Sequence, residues 1–387
     1  MTRATILRIS LLFAILAPNG LSLRAQTRSI ESSPVRSMPP VAVSFSSVLQ
    51  NWTRADTDIY ELSTTASLQM QVLPSLNLRI SASQATAEHD SLQKVTGMTD
   101  IQTALSYVVK FPSSRLSLSL NANLPTGKKD LSKWAYDAAF PMSLSQYDFQ
   151  VPYFGRGTSV SPGIAWAFSA SRSLVLGLGA SYHVRGEFQP HRALPGKYDW
   201  GNEFTLTTGA EWQPSLNVFV STDLILTLYA ADKINGIEVY SAGSRFIGSL
   251  RASSRIGRND LSFSIRFRTV GTNQSLSPAS IQPESVTAST GVLGAAVTYR
   301  LRVSPFFYSD FQVSATQYSK TFDVQNIQPS ELIPYDQILK IGQLNVYGVG
   351  FFPRISIAPA VSIPIRLKYS VGDITGFETG IGLAAIL

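Results

Sequence analysis

Arg266 and Arg268, Arg300 and Arg302, and Arg366 and Lys368 form three basic pairs, each with a single residue between its members. In a strand, residues two apart share a face. Each pair therefore stacks two positive charges on one side of a sheet. Like charges so placed repel unless solvent, a counter-charge or an anionic ligand separates them. The chemistry on offer is electrostatic attraction of anions, not bond making. Other basic residues at polar strand positions are Arg79, Lys110, Arg115, Arg185, Arg251 and Arg255. The acidic ones are Glu61, Asp100, Glu203, Glu211, Asp223, Asp310 and Glu378. Cross-strand pairing would make these charges braces of the wall. The surplus of basic positions is harder to absorb that way, and both readings stay open.

A second constellation is the long segment Lys128 to Gly157, which carries Trp134, Tyr136, Phe140, Tyr147, Phe149, Tyr153 and Phe154. Long connections with their own aromatic content are often functional. This one could capture an apolar ligand or constrict an opening; a self-packed lid or a contact with lipopolysaccharide explains the same residues. Lys320 to Leu339, with Phe322, Ile327, Leu332, Ile333 and Tyr335, has a similar character.

Catalytic chemistry has little support. There are three histidines: His89 and His191 on expected extracellular loops, and His183 on a polar strand face beside Arg185. No GxSxG elbow, phosphate loop or dinucleotide fingerprint is present, and no His, Asp or Glu spacing suggests a metal. The chain has no cysteine, which removes thiolate sites and disulfides. The reading is a non-enzyme with no cofactor and no metal.

The elements that must position these charges are strands. Arg115 to Leu124 alternates apolar and polar residues without interruption. That is the pattern of a strand with one apolar and one polar face. It recurs at Leu62 to Val72, Ile101 to Phe111, Leu174 to Val184, Leu261 to Phe267, Val361 to Val371 and Phe377 to Leu387. Charged residues make up 15% of the chain, against about 25% in soluble domains. The formal charge of +7 does not imply nucleic acid in an exported chain. Residues 1–25 read as a cleavable signal, with Arg3 and Arg8 before an apolar run too short to span a bilayer. Residues 26–40, with three prolines, read as a periplasmic leader. Residues 41–387 are then the folded unit.

Tight turns are expected at Pro74-Ser75, Pro112 to Ser114, Ser171-Arg172, Pro214-Ser215, Gly257 to Asn259, Ser304-Pro305 and Ala358-Pro359. Longer polar segments alternate with them: Asn51–Thr57, Ala87–Gly97, Gly127–Gly157, Glu187–Tyr198, Ala231–Ile237, Gly271–Thr287, Lys320–Leu339 and Gly372-Asp373. Short periplasmic turns alternating with long outer loops are the mark of a transmembrane antiparallel up-and-down β-barrel. The count predicts sixteen strands, with the apolar faces toward lipid and both termini periplasmic. Two segments are weak, Val41–Leu49 and the proline-containing Gln343–Ile357; if either fails, the count is fourteen.

The strand ending Asn123-Leu124-Pro125-Thr126-Gly127-Lys128-Lys129-Asp130, with Ser161-Pro162-Gly163 and Gly177-Leu178-Gly179-Ala180, resembles outer-membrane proteins of the meta-pathway phenol-degradation group and the wider FadL-like transporter superfamily. The resemblance implies passive uptake of small hydrophobic or aromatic compounds. Such transporters have an N-terminal hatch, for which residues 26–40 are short.

The expected function is an outer-membrane channel for small solutes, hydrophobic or anionic. Its lumen would be lined by Arg115, Arg185, Arg251, Arg266, Arg268, Arg300, Arg302, Arg366 and Lys368. The alternative is a closed structural or interaction barrel. Expected partners are outer-membrane lipid and lipopolysaccharide, the solute, and the barrel-assembly machinery. The oligomeric state is left open.

Overall fold

The computed structural model describes residues 41–54, 57–89, 94–129, 131–132, 135, 138–143, 147–189, 196–277, 280–283, 290–319, 321–323, 339–341 and 343–387. The alternating segments become the sixteen wall strands of a closed barrel. In chain order they are β1 (Val41–Arg54), β2 (Thr57–Leu73), β3 (Leu76–His89), β4 (Ile101–Lys110), β5 (Ser114–Leu124), β6 (Ser159–Ser169), β7 (Leu174–Arg185) and β8 (Glu203–Ser215). They continue with β9 (Val218–Tyr229), β10 (Arg245–Ile256), β11 (Asn259–Val270), β12 (Thr290–Ser304), β13 (Phe307–Tyr318), β14 (Leu344–Ala358), β15 (Val361–Gly372) and β16 (Thr375–Ile386). Each pairs antiparallel with its chain neighbours, and β1 pairs with β16 from Ala42↔Ile386 to Thr53↔Thr375, which closes the ring. Closure leaves no free edge, the condition for a sheet to cross a bilayer. The signal and leader expected at residues 1–40 lie outside the described residues.

Both doubtful segments are strands, so fourteen gives way to sixteen. Val41–Leu49 is the start of a strand that continues to Arg54. Pro353 sits in β14, where a missing N–H should break a ladder. The break is absorbed on one side: β14 and β15 are bridged at Phe351↔Leu367 and Arg354↔Pro364 but not between them. Toward β13, Pro353 keeps its place opposite Ser309.

Three local expectations are corrected. Asn51–Thr57 is not a long loop, because β1 and β2 stay paired through Trp52↔Ile59 to Arg54↔Thr57. The turn expected at Pro214-Ser215 falls two residues later, at Leu216-Asn217, since a bulge between Trp212 and Ser215 lets β8 run past the proline. His89 is not on a loop; it ends β3 and is buried.

The outward face is apolar. Phe45, Leu120, Leu178, Leu206, Phe263, Val313, Leu367 and Leu383 are all exposed there. Tyr107, Phe111, Trp166, Trp212 and Tyr299 are exposed aromatics toward the short-turn end, as an interfacial girdle requires. A charge on this face is costly. Leu178→Lys, near the middle of β7, is expected to lower stability by about 2–4 kcal/mol; urea unfolding of the barrel refolded in lipid is the check.

On the long-loop side the wall is built higher. Six short strands, Glu187–Phe188, Tyr198–Asp199, Asp232–Ile234, Ile237–Ser241, Gln274–Ser277 and Ser280–Pro283, join in one further sheet. The segments expected to be only polar loops thus carry ladder structure of their own.

Candidate functional site: the inner wall and the inward loop

The β5–β6 connection folds back into the barrel, for reasons visible in its own sequence. Tyr147-Asp148-Phe149-Gln150-Val151 alternates apolar and polar residues. Tyr147, Phe149 and Val151 are buried, with Leu131, Ala138, Met142 and Phe154. They share one cluster with Trp52 of β1, Ile59 of β2, Ala85 and Ala87 of β3, Tyr318 of β13 and Val346 of β14. The small alanines of β3 make room for the loop aromatics. Burying such a set removes hundreds of Å² of apolar surface from water at about 25 cal/mol per Å², enough to hold a loop without regular structure.

Polar groups set the depth of the loop. Gln50, fully buried in β1, donates through Nε2 to the Asp148 carbonyl at 3.1 Å and accepts the Gln150 N–H at 2.8 Å. Glu61, its ladder partner on β2, accepts the Val151 N–H at 3.0 Å. The two side chains bind this stretch much as a neighbouring strand would.

The stems are held by one carboxylate. Asp100, 2% exposed, accepts the Gly127 N–H at 2.8 Å through Oδ1. Its Oδ2 accepts the Arg156 N–H at 2.6 Å and the Asn123 amide at 2.7 Å. The Leu-Pro-Thr-Gly-Lys stretch is the outgoing half of this clasp. Thr126 Oγ1 accepts the Ile101 N–H at 2.9 Å, and Lys128 Nζ donates to the Thr96 carbonyl at 2.7 Å. A Cβ on Gly127 would lie 2.7 Å from the Asp100 nitrogen and 2.8 Å from the Gly155 Cα, so only glycine lets the stems meet.

The basic residues divide into two populations. Toward the short-turn end they pair across strands. Arg300 grips Asp310 with two bonds, at 2.6 and 2.7 Å. Arg302 binds Asp260 at 2.6 Å, and Arg255 approaches the same carboxylate at 3.5 Å. Higher on the wall, mid-strand Arg366 pairs with Glu378, three residues from the long-loop start of β16. Nearer the long-loop end, Arg185 pairs with Glu203, whose other oxygen lies 3.5 Å from His183 Nδ1. Mid-strand Arg251 interacts electrostatically with Asp223, Arg115 beside the short turn before β5 has a partner, and Lys368 lies 5.9 Å from the Trp52 ring.

Arg266 and Arg268 behave differently. Among the described residues neither has an ion-pair partner; Arg245 on the adjoining strand forms no close ion pair either, though its charge acts on the Glu203 carboxylate. Arg245 pairs in register with Val270, two residues from Arg268 and on the same face. Arg245, Arg266 and Arg268 interact electrostatically with one another. The three form a basic ladder on the β10–β11 wall, and the Asp148 carboxylate of the inward loop acts on both Arg266 and Arg268.

The mouth above β7 and β8 is aromatic. Trp200 stacks on Phe188 with ring centroids 5.9 Å apart, and meets Tyr198 edge-on at 4.9 Å. The Arg156 guanidinium lies 3.5 Å from the Tyr153 ring centroid and 5.4 Å from that of Trp200. Asp232 ties this cluster to the next loop, accepting from the Tyr198 hydroxyl at 2.6 Å and the Gly201 N–H at 2.7 Å. Burial holds its carboxyl above the usual range, with these two bonds pulling the other way.

Of the loop residues singled out from sequence, Tyr147, Phe149 and Phe154 are buried inside the barrel and Tyr153 is at the mouth. Phe140 lies in a short 3-10 turn, Phe140–Ser143. Trp134, Tyr136 and His191 lie outside the described residues, as does most of Lys320–Leu339. Sequence reading missed Gln50, Asp148, Arg245 and Asp260. Asp148 had a signal in the five-residue alternation around it. Asp260 had one in its place beside a turn, opposite Arg255 and Arg300 in register.

Fold and site together define a transmembrane up-and-down β-barrel whose third outer loop is folded inside against one half of the wall. No protein-family model and no curated protein matches the chain. Solved structures similar to it are membrane barrels. A bacterial polysaccharide outer membrane secretin is 10% identical over 90% of this chain and 98% of its own, with a TM-score of 0.46. OprD of Pseudomonas aeruginosa is 9% identical over 90% and 96%, with a TM-score of 0.40. An outer membrane channel from Pseudomonas putida F1 is 8% identical over 92% and 100%, with a TM-score of 0.38.

Proposed function

We propose that this barrel is an outer-membrane channel for passive diffusion of small solutes, with a preference for anions. The observation that carries the reading is the asymmetry of the inner wall. On β1–β3 the inward residues beside the loop are sealed by it: Gln50, Glu61, Ser63, Ala85 and Ala87 are each at most 1% exposed, while Ser44, Ser46, Thr65 and Ser81 nearer the short turns are partly accessible. On β8–β11 the inward Glu203, Thr205 and Thr227 near the long-loop end are buried as well, but below them Glu211, Arg251 and Arg266 are partly accessible and Asp223 is exposed. The loop thus covers one side of the lumen and leaves the basic ladder facing the other. Basic side chains along a pore favour anions by the rule that charged rings set selectivity.

The described lumen wall is polar, which favours charged over hydrophobic solutes. The uptake of aromatic compounds implied by the FadL-like resemblance draws instead on the mouth cluster of Phe188, Tyr198 and Trp200. A closed structural barrel is the competing reading; it draws on the buried loop cluster itself.

The test is single-channel recording of the refolded protein in a planar bilayer under a salt gradient. Open steps with an anion-selective reversal potential are expected. A silent bilayer, with folding verified by heat-modifiable gel migration, would favour the closed barrel.

A further inference from the structure

From the inward loop we infer that Asp148 is a specificity-determining residue: a tethered carboxylate that acts as the built-in counter-ion of Arg266 and Arg268, the two β11 members of the ladder, and competes with the permeating anion. This rests on the channel reading above.

Four observations converge on this residue. Asp148 has φ of +49°, one of only two non-glycine residues among those described to lie in the left-handed region. Asp and Asn tolerate that region better than other side chains, yet such a residue merits a reason. The backbone on both sides is held: Gln50 binds the Asp148 carbonyl and the Gln150 N–H. The flanking Tyr147 and Phe149 rings are buried, which fixes the segment on both sides of Asp148. From there its charge acts on Arg266, Arg268 and the Tyr318 phenol. It also lines a cavity of about 60 Å³, shared with Lys368, Ser314, Thr316, Ser370, Tyr318 and Trp52. A cavity of that size with polar walls accommodates water, which lets the carboxylate stay solvated where it sits.

The ladder needs such a partner. Positive side chains with no ion pair crowd the β10–β11 wall, and an unopposed cluster would bind an anion too firmly to release it. Conduction requires that binding be favourable enough to enter and weak enough to leave. A carboxylate fixed on the loop supplies a competitor that never diffuses away.

Asp148→Asn removes the charge and keeps a side chain suited to the left-handed backbone. In the full-length refolded barrel, the anion-to-cation permeability ratio of Asp148→Asn is expected to rise by roughly threefold, the scale of one charge acting through water at close range. Sulfate, used as a probe, should block chloride current at lower concentration than in the parent. Asp148→Gly separates the charge from the backbone: it should match Asp148→Asn in selectivity. An anion-selective parent whose Asp148→Asn and Asp148→Gly variants keep its reversal potential and sulfate sensitivity would overturn the assignment while leaving the channel reading intact. A parent without anion preference would overturn both.

Discussion

Replacing Arg266 and Arg268 together with Gln is expected to remove most of the anion preference, a change on the order of tenfold in the permeability ratio. The matched variant Arg300→Gln/Arg302→Gln carries the same change in net charge and should leave the ratio nearly unaltered. The reason is pairing. Arg266 and Arg268 have no ion-pair partner among the described residues, so their charge is available to the lumen. Arg300 and Arg302 are neutralised by Asp310 and Asp260. The cost of the second variant falls on stability instead. Arg300 is 7% exposed, and removing one partner of a buried pair strands the other at about 3–5 kcal/mol. Reversal potentials read the first effect, and the urea midpoint in lipid reads the second. If both variants shifted selectivity equally, the division of the arginines into ladder and braces would be wrong.

Asp100→Ala is expected to untie the inward loop at both ends. The Gly127 and Arg156 N–H groups would lose their acceptor, and an unsatisfied buried donor costs about 1–3 kcal/mol. The Asn123 amide loses one of its two acceptors, keeping the Gly157 carbonyl at 2.7 Å. The strands do not depend on this carboxylate, so the barrel should still fold and resist heat. The open channel should flicker, with a larger mean conductance, as the loop leaves its seat. Cleavage by an added protease within residues 128–156 should rise in parallel. Asp100→Asn keeps an acceptor oxygen and should fall between the two. Steady conductance with unchanged protease resistance in Asp100→Ala would show that the buried cluster alone holds the loop. Gln50 and Glu61 would then be the next sites to test.

The wall was legible in the sequence because a strand's two faces are a local property. Leu116, Leu118 and Leu120 point one way and Ser117, Ser119 and Asn121 the other whatever their neighbours are, and a turn residue ends a strand within a few positions. The same locality explains the errors. Pro214 and Pro353 are turn and breaker signals on their own, yet each is carried inside a strand by a bulge or an omitted bridge that depends on the adjacent strand. Asn51–Thr57 is polar enough for a loop, but Trp52 has the buried loop aromatics to pack against and keeps the strand going.

By itself the sequence determined the strand period, the outward apolar belt, the sixteen segments and which basic residues share a face. Only the tertiary structure decided which of those charges are free. Arg300 and Arg268 have the same spacing to a basic neighbour, and register alone gives Arg300 the carboxylates of Asp260 and Asp310. Sequence likewise offered an aromatic loop without saying where it goes. Its seat inside the barrel depends on Asp100, Gln50 and Glu61, which stand up to a hundred residues from their partners in the loop. Contacts of that range come from ring closure, which brings β1, β2 and β14 within reach of one connection, and no local pattern encodes them.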